Sequence, residues 1–258
     1  GLKPGISEYD AARLLQLDGS PHSVHPMLTA GPRARVGLAS PSSRPIARGE
    51  PITCALGLMG ALNCRAGFLA RDAADLPPAI ADYVERLVAP YFEAVAAWYE
   101  TIGIGVPGGA IHDAVMSRLG DPFFGVGLNP GHLIHLDEWV HSPVRKGSTV
   151  PLRSGMALQC DIITATGTDY FTTNIEDGVA LVVIDRPPVN AMSNQLRRDV
   201  VELFGQLDED RAETRKNFFL KKGGGTWMPP PSLFCEDMRP KKPPLKKNLC
   251  KKRPVRPK

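Results

Sequence analysis

Gly131-His132-Leu133-Ile134-His135, then Ser142-Pro143, then Gly155-Met156-Ala157-Leu158-Gln159-Cys160-Asp161, then Ile175-Glu176-Asp177: this run decides the reading of the 258-residue chain. It delivers three potential metal ligands, His132, Asp161 and Glu176, from three separate apolar segments. Hard divalent cations take nitrogen and carboxylate donors, and hydrolytic centres gather such donors from neighbouring strands. Asp161 is the most telling of the three. It lies between Cys160 and Ile162, and a carboxylate inside an apolar strand costs free energy unless it is paired or ligated. Glu176-Asp177 reads either as part of this set or as a turn before a strand at 179. His135, Asp137, Glu138 and His141 share one polar stretch that reads equally as a solvated loop or as part of a site.

Working outward, the chain divides into three regions. In the first, to about residue 180, Ser7 predicts the N-cap of an amphipathic helix with Ala11, Leu14 and Leu15 on one face. Residues 20–50 are rich in Pro, Ser, Gly and Arg and read as loops with short strands. Pro51–Leu62 is apolar and reads as a strand. Over Leu76–Thr101, Val84, Leu87, Val88, Tyr91, Phe92, Val95 and Trp98 recur at helical spacing, with a kink expected at Pro90. Trp98 and Tyr99 read as core. Ala110–Leu119 is a second helix, introduced by Gly108-Gly109. Short strands are expected at 123–128, 149–152, 156–164 and 168–175. Helices followed by a run of strands predict an α+β fold with an antiparallel sheet.

The net charge of +4 conceals a division. Residues 216–258 hold 13 Lys/Arg against 2 Asp/Glu, and the rest holds 18 against 25. The body is therefore acidic at −7 and the tail basic at +11, so the basic pI does not argue for a nucleic-acid partner. The tail, with Gly223-Gly224-Gly225, Pro229-Pro230-Pro231 and its Lys-Lys pairs, is too poor in apolar residues to order itself and reads as a disordered basic tail. Five scattered cysteines with no metal spacing suit a reducing compartment, and a cytoplasmic location is expected. No apolar run approaches a membrane span, so no membrane partner is expected. The start at Gly1 reads as the middle of a fold, an N-terminally truncated domain.

The first region resembles the catalytic domain of the Xaa-Pro aminopeptidase, prolidase and creatinase family, the metallopeptidases of the "pita-bread" fold. Five short motifs carry the likeness in order: Lys3-Pro-Gly-Ile-Ser-Glu8, Arg44-Pro-Ile-Ala-Arg-Gly-Glu50, Gly131-His132, Gly155-Met156 and Ile175-Glu176-Asp177. The resemblance implies a pita-bread domain over 1–180, a curved antiparallel sheet with flanking helices. It implies a hydrolase acting on a peptide or small amine, and often a homodimer. It also implies a divalent metal, Mn²⁺, Co²⁺ or Zn²⁺. Creatinase works without metal in the same fold, so the likeness is equally compatible with no metal. The family sets two ions between two Asp, one His and two Glu. Carried onto this chain, the metal ligands are His132, Asp161 (one methylene shorter than Glu) and Glu176.

The same resemblance locates what is missing. The family's Gly-Asp-x-Val-x-x-Asp-x-Gly pattern lies over Gly49–Gly57 and puts its first ligand at Ala55; the second falls at Ala66. A methyl group ligates nothing, so the dinuclear site is expected to be degenerate. Asn63, Cys54 and Cys64 lie nearby as imperfect substitutes, a thiolate favouring a softer metal. The family's second active-site His falls at Trp139, and with a local shift His141 takes that catalytic, substrate-facing place. Another substrate-facing His falls near Leu38. These departures imply a divergent, inactive domain, or a non-catalytic module that binds a peptide or small amine.

The second region resembles another family. Val179-Ala-Leu-Val-Val-Ile-Asp-Arg-Pro-Pro-Val-Asn-Ala-Met-Ser193 is similar to the first strand and turn of the enoyl-CoA hydratase/isomerase (crotonase) family. The likeness stops near residue 215 and matches no catalytic position. It implies a truncated strand–helix module over 181–215, and a third functional reading as a fragment of an acyl-CoA enzyme fusion.

Overall fold

The computed structural model describes residues 2–15, 19, 21–36, 39–58, 61–134, 141–181 and 217–218. All of these belong to the first of two compact units, Gly1–Trp227. The crotonase-like stretch beyond Leu181 and nearly all of the basic tail lie outside the described residues, as do Leu38, His135, Asp137, Glu138 and Trp139.

The described part is α+β. Helix α1 (Glu8–Arg13) is followed by strands β1 (His22–Ala30), β2 (Pro51–Leu58) and β3 (Ala61–Phe68). Helices α2 (Ala89–Thr101) and α3 (Gly108–Leu119) come next, then β4 (His132–Leu133), β5 (Ala157–Asp161) and β6 (Asn174–Ala180). The sheet order is β1-β2-β3-β6-β5-β4, antiparallel throughout, and a two-residue β7 (Asn217–Phe218) lies parallel to β6.

Ser7 caps α1 as expected, its hydroxyl accepting from the Asp10 N–H at 3.0 Å. The helix is shorter than its apolar pattern suggests: Ala11 is buried, but Leu14 is already the C-cap and is exposed. Glu8, fully buried, ties α1 to the sheet. Its carboxylate accepts from the Ala30 N–H at 2.8 Å, the Ser42 N–H at 2.9 Å and the Ser42 hydroxyl at 2.7 Å, and pairs with Arg33 at 3.3 Å.

Several expectations are corrected. Residues 22–30, within the stretch read as loops with short strands, form one nine-residue strand. It is an edge strand with register shifts between His22 and Met27, which is where Pro26 is tolerated. The single strand expected at 51–62 is the first arm and turn of a hairpin, β2–β3. The helix expected from Leu76 begins only near Tyr83, after two short 3₁₀ turns at 73–75 and 78–80. Just before Pro90 it contains a π turn, Val84–Val88, closed by the Ala89 N–H on the Val84 carbonyl. That wider turn makes room where the Pro90 ring would otherwise strike the carbonyl four residues back, and Pro90 has no N–H to lose. Residues 123–128 and 149–152 form no strand. The 168–175 stretch stays mostly outside the sheet because its threonines bond one another: Thr172 reaches the Thr164 carbonyl and Thr166 the Phe171 carbonyl.

Helices α2 and α3 cover one face of the sheet. Tyr91, Val95 and Trp98 of α2 and Ile111 and Val115 of α3 pack in one core with Leu158, Cys160 and Val179. Val179 and Ala180, which the sequence reading gave to a crotonase-like motif, belong to β6 of this sheet. A smaller core sets Ala11 of α1 against Leu28 and Ile52 on the same face. The opposite face is left to polar chemistry.

Candidate metal site

Antiparallel register places directly opposed residues on one face of a sheet. Across five strands it lines up Met27, Ala55, Cys64, Glu176 and Asp161. His132 on β4 faces Gln159, two residues before Asp161, and so shares that face. The period of two explains why the site alternates with core: Leu158, Cys160 and Val179 point to the helices, while Gln159, Asp161, Glu176 and Gly178 point away. Glu176-Asp177 is therefore strand and not turn. Asp177 turns to the helix side and pairs with Arg65 at 2.7 Å.

The three expected ligands converge. One donor atom from each of His132, Asp161 and Glu176 lies within 4.8 Å of the others, and all three residues are buried. His132 Nε2 is 3.4 Å from Glu176 Oε1 and 3.9 Å from Asp161 Oδ2. Its Nδ1 sits 2.9 Å from the Leu133 carbonyl. A carbonyl only accepts, so Nδ1 carries a proton, and Nε2 is the ring nitrogen that faces the two carboxylates. This is how a ligating histidine is commonly oriented. Burial pulls the His132 pKa down, but the hydrogen bond to Glu176, the Leu133 carbonyl and the charges of Asp161 and Glu176 outweigh it and leave the pKa raised.

The backbone around this trio is pinned. Gly131 has φ +137°, and a Cβ there would lie 2.7 Å from the Gln159 carbonyl and against the Trp98 indole. Only glycine lets β4 dock this closely. Trp98 Nε1 donates to the Pro130 carbonyl at 2.6 Å, and the Ser142 hydroxyl donates to the Gly131 carbonyl. Past the last β5–β6 pair, Asp161 with Glu176, the Tyr91 hydroxyl takes the Ile175 N–H at 2.9 Å and donates to its carbonyl at 3.0 Å. The Asn174 side-chain amide donates to the Ile162 carbonyl at 3.0 Å. Gln159 reaches over Gly178 to donate to the Leu62 carbonyl of β3. Sequence reading gave Tyr91, Gln159 and Asn174 no role at the site. Buried polar side chains beside the ligands were the available signal.

The donor set fits one divalent ion. Two donors each about 2.1 Å from a tetrahedral ion stand about 3.4 Å apart, near the separations observed. It does not fit two. Ala55 and Ala66 do lie on the ligand face, opposite Cys64 and Asn174 respectively, where a carboxylate would stand on the same side of the sheet as the trio. Both are methyls. Among the suggested substitutes, Cys54 and Asn63 point to the other face. Cys64 points to the correct face but stands outside the close cluster. Burial, then the charges of Glu176 and Asp161, push its thiol well up, so it stays protonated and is a poor ligand. His141 is not in the cluster either; its side chain is exposed, and its carbonyl accepts from the Leu133 N–H at 2.8 Å.

Solved structures share this architecture. The Xaa-Pro dipeptidase from Bacillus anthracis superposes with a TM-score of 0.56 at 19% identity, covering 70% of this chain and 52% of that one. The X-Pro aminopeptidase from Thermotoga maritima gives 0.55 at 19%, with 70% and 52% covered. The prolidase from Pyrococcus furiosus gives 0.54 at 16%, with 72% and 58% covered. No family model and no curated protein matches the chain. The chain spans about half the length of these structures. The likeness establishes the fold they share, the pita-bread fold of the Xaa-Pro peptidases. No helix among the described residues is long and apolar enough to cross a membrane.

Proposed function

We propose that this chain is a Xaa-Pro aminopeptidase/creatinase-like domain whose metal site is degenerate, binding a divalent ion and a peptide or small amine without appreciable hydrolysis. The observation that carries this reading is the convergence of His132, Asp161 and Glu176 on a face where Ala55 and Ala66 stand in place of carboxylates. His132, Asp161 and Glu176 hold the ion, which when bound supplies Lewis acidity and acidifies its water. The chain's own residues do the rest. The Leu133 carbonyl fixes the imidazole tautomer, and Tyr91 and Asn174 hold the strand ends that aim the carboxylates. His141, on the exposed approach to β4, contacts the ligand.

Titration calorimetry of the full chain with Mn²⁺, Co²⁺ and Zn²⁺ tests the reading. Binding of at least one ion is expected, with no Xaa-Pro dipeptide cleavage above background. Failure of all three ions to bind at sub-millimolar concentration overturns it.

A further inference from the structure

We infer that the sheet face beyond Glu176, set out by Thr29, Thr53, Ala66 and Asn174, is an uncharged subsite for the N–H of an acylated amine. The inference rests on the reading of the cleft as a site for a divalent ion and a peptide or small amine. It deepens that reading by naming the ligand class: one that presents a secondary amide in place of a free ammonium group.

The ladder sets a second row of side chains next to the row that holds Glu176. Thr29 on β1 faces Thr53 on β2, Thr53 faces Ala66 on β3, and Ala66 faces Asn174 on β6. Asn174 lies two residues before Glu176 on the same strand, so the row shares the trio's face. Asn174 is 3% exposed, whereas Thr53 and Ala66 are half-buried and leave the row accessible. The Asn174 carboxamide is only half used. The Ile162 carbonyl accepts and cannot donate, so the atom 3.0 Å from it is Nδ2, and the other arm of the fork, turned from Ile162, is Oδ1. That oxygen is buried and finds no donor among the described residues. A buried acceptor left unpaired is costly, so its donor has to come from outside the fold.

Count and charge then decide the kind of donor. The row carries no charged side chain, and the two carboxylates beside it, Asp161 and Glu176, are balanced by the divalent ion. An ammonium group brings three N–H donors and a full positive charge. On this row it would meet one free oxygen and no uncompensated anion, and burying it would be unfavourable. A secondary amide is neutral and has a single N–H, which one oxygen satisfies.

The test is titration calorimetry on the full chain, first with Co²⁺ alone and then on the cobalt-loaded chain with three matched probes. These are alanyl-proline, N-acetyl-alanyl-proline, and the same acetylated dipeptide with its alanine nitrogen methylated. The acetylated probe is expected to bind about tenfold or more tighter than the free dipeptide. Methylation removes the single N–H and is expected to cost about tenfold, the weight of one hydrogen bond to a buried acceptor. In Asn174→Ala the gap between the acetylated probe and its methylated form should close; should that variant not fold, the three probes on the wild type decide alone. Cobalt binding with alanyl-proline held as tightly as the acetylated probe, or tighter, overturns the inference and leaves the metal site standing. A methylation penalty that survives in Asn174→Ala does the same, as does failure of all three probes to bind the cobalt form. Failure of cobalt itself to bind overturns the metal reading and the inference with it.

Discussion

Glu8 and Glu176 are both buried carboxylates on sheet-facing positions, yet their surroundings are opposite. Glu8 collects three hydrogen bonds of 2.7–2.9 Å from Ala30 and Ser42 and an ion pair with Arg33. Glu176 receives one long contact, 3.4 Å, from His132, and faces Asp161 directly across the ladder. A carboxylate that serves the fold is surrounded by donors; one that serves a ligand is surrounded by other acceptors. Burial alone does not separate the two roles, and the identity of the neighbours does.

The largest expected effect tests the structural half of that contrast. Glu8→Ala leaves the Ala30 and Ser42 N–H groups and Arg33 without their acceptor, and should cost about 3–5 kcal/mol in denaturant unfolding while cobalt affinity of the folded fraction is unchanged. Glu176→Gln should do the reverse. It removes a like charge from beside Asp161, so metal-free stability should stay within about 1 kcal/mol of wild type while metal binding is lost. If Glu176→Gln unfolds the protein as severely as Glu8→Ala, the contrast fails.

The contrast also explains what was legible in the sequence. His132, Asp161 and Glu176 could be picked out because polar residues interrupt short apolar strands, and a two-residue period then brings them to one face. Ala55 and Ala66 could be placed only through the likeness, whose ligand pattern over Gly49–Gly57 follows the Arg44–Glu50 approach; Arg44 and Glu50 are in fact ion-paired. Glu8 was read only as the first turn of a capped helix, because its partners lie 22 and 34 residues away and no local pattern announces them. Strand β1 was hidden by Pro26, which is tolerated at an irregular edge. Residues 168–175 read as a strand, but threonine hydroxyls around them take backbone bonds a ladder would need.

A smaller effect follows from the raised pKa of His132. The folded protein holds the proton more tightly than the unfolded chain, whose histidines titrate near pH ~6.5. Its stabilising contribution is therefore complete below that pH and is lost as pH rises through the folded pKa. Metal-free wild type should lose stability upward from about pH 6.5 in denaturant series, and Glu176→Gln should flatten the slope. A slope of the opposite sign would mean that burial, and not the carboxylates, governs the imidazole.

The smallest effect concerns Cys64, which the ladder sets directly opposite Glu176 on the ligand face. Position alone would make it a ligand; its environment argues otherwise. Burial and the two nearby carboxylates hold the thiol well above its ordinary pKa, as burial pushes Cys54 on the other face up to about 11. Neither is a thiolate near neutral pH, and only the thiolate ligates strongly. Cys64→Ala should thus change cobalt affinity by less than about threefold, under 1 kcal/mol. A loss of tenfold or more would move Cys64 into the coordination shell, and the line between the acceptor-rich cleft and the hairpin beside it would have to be drawn one strand further over.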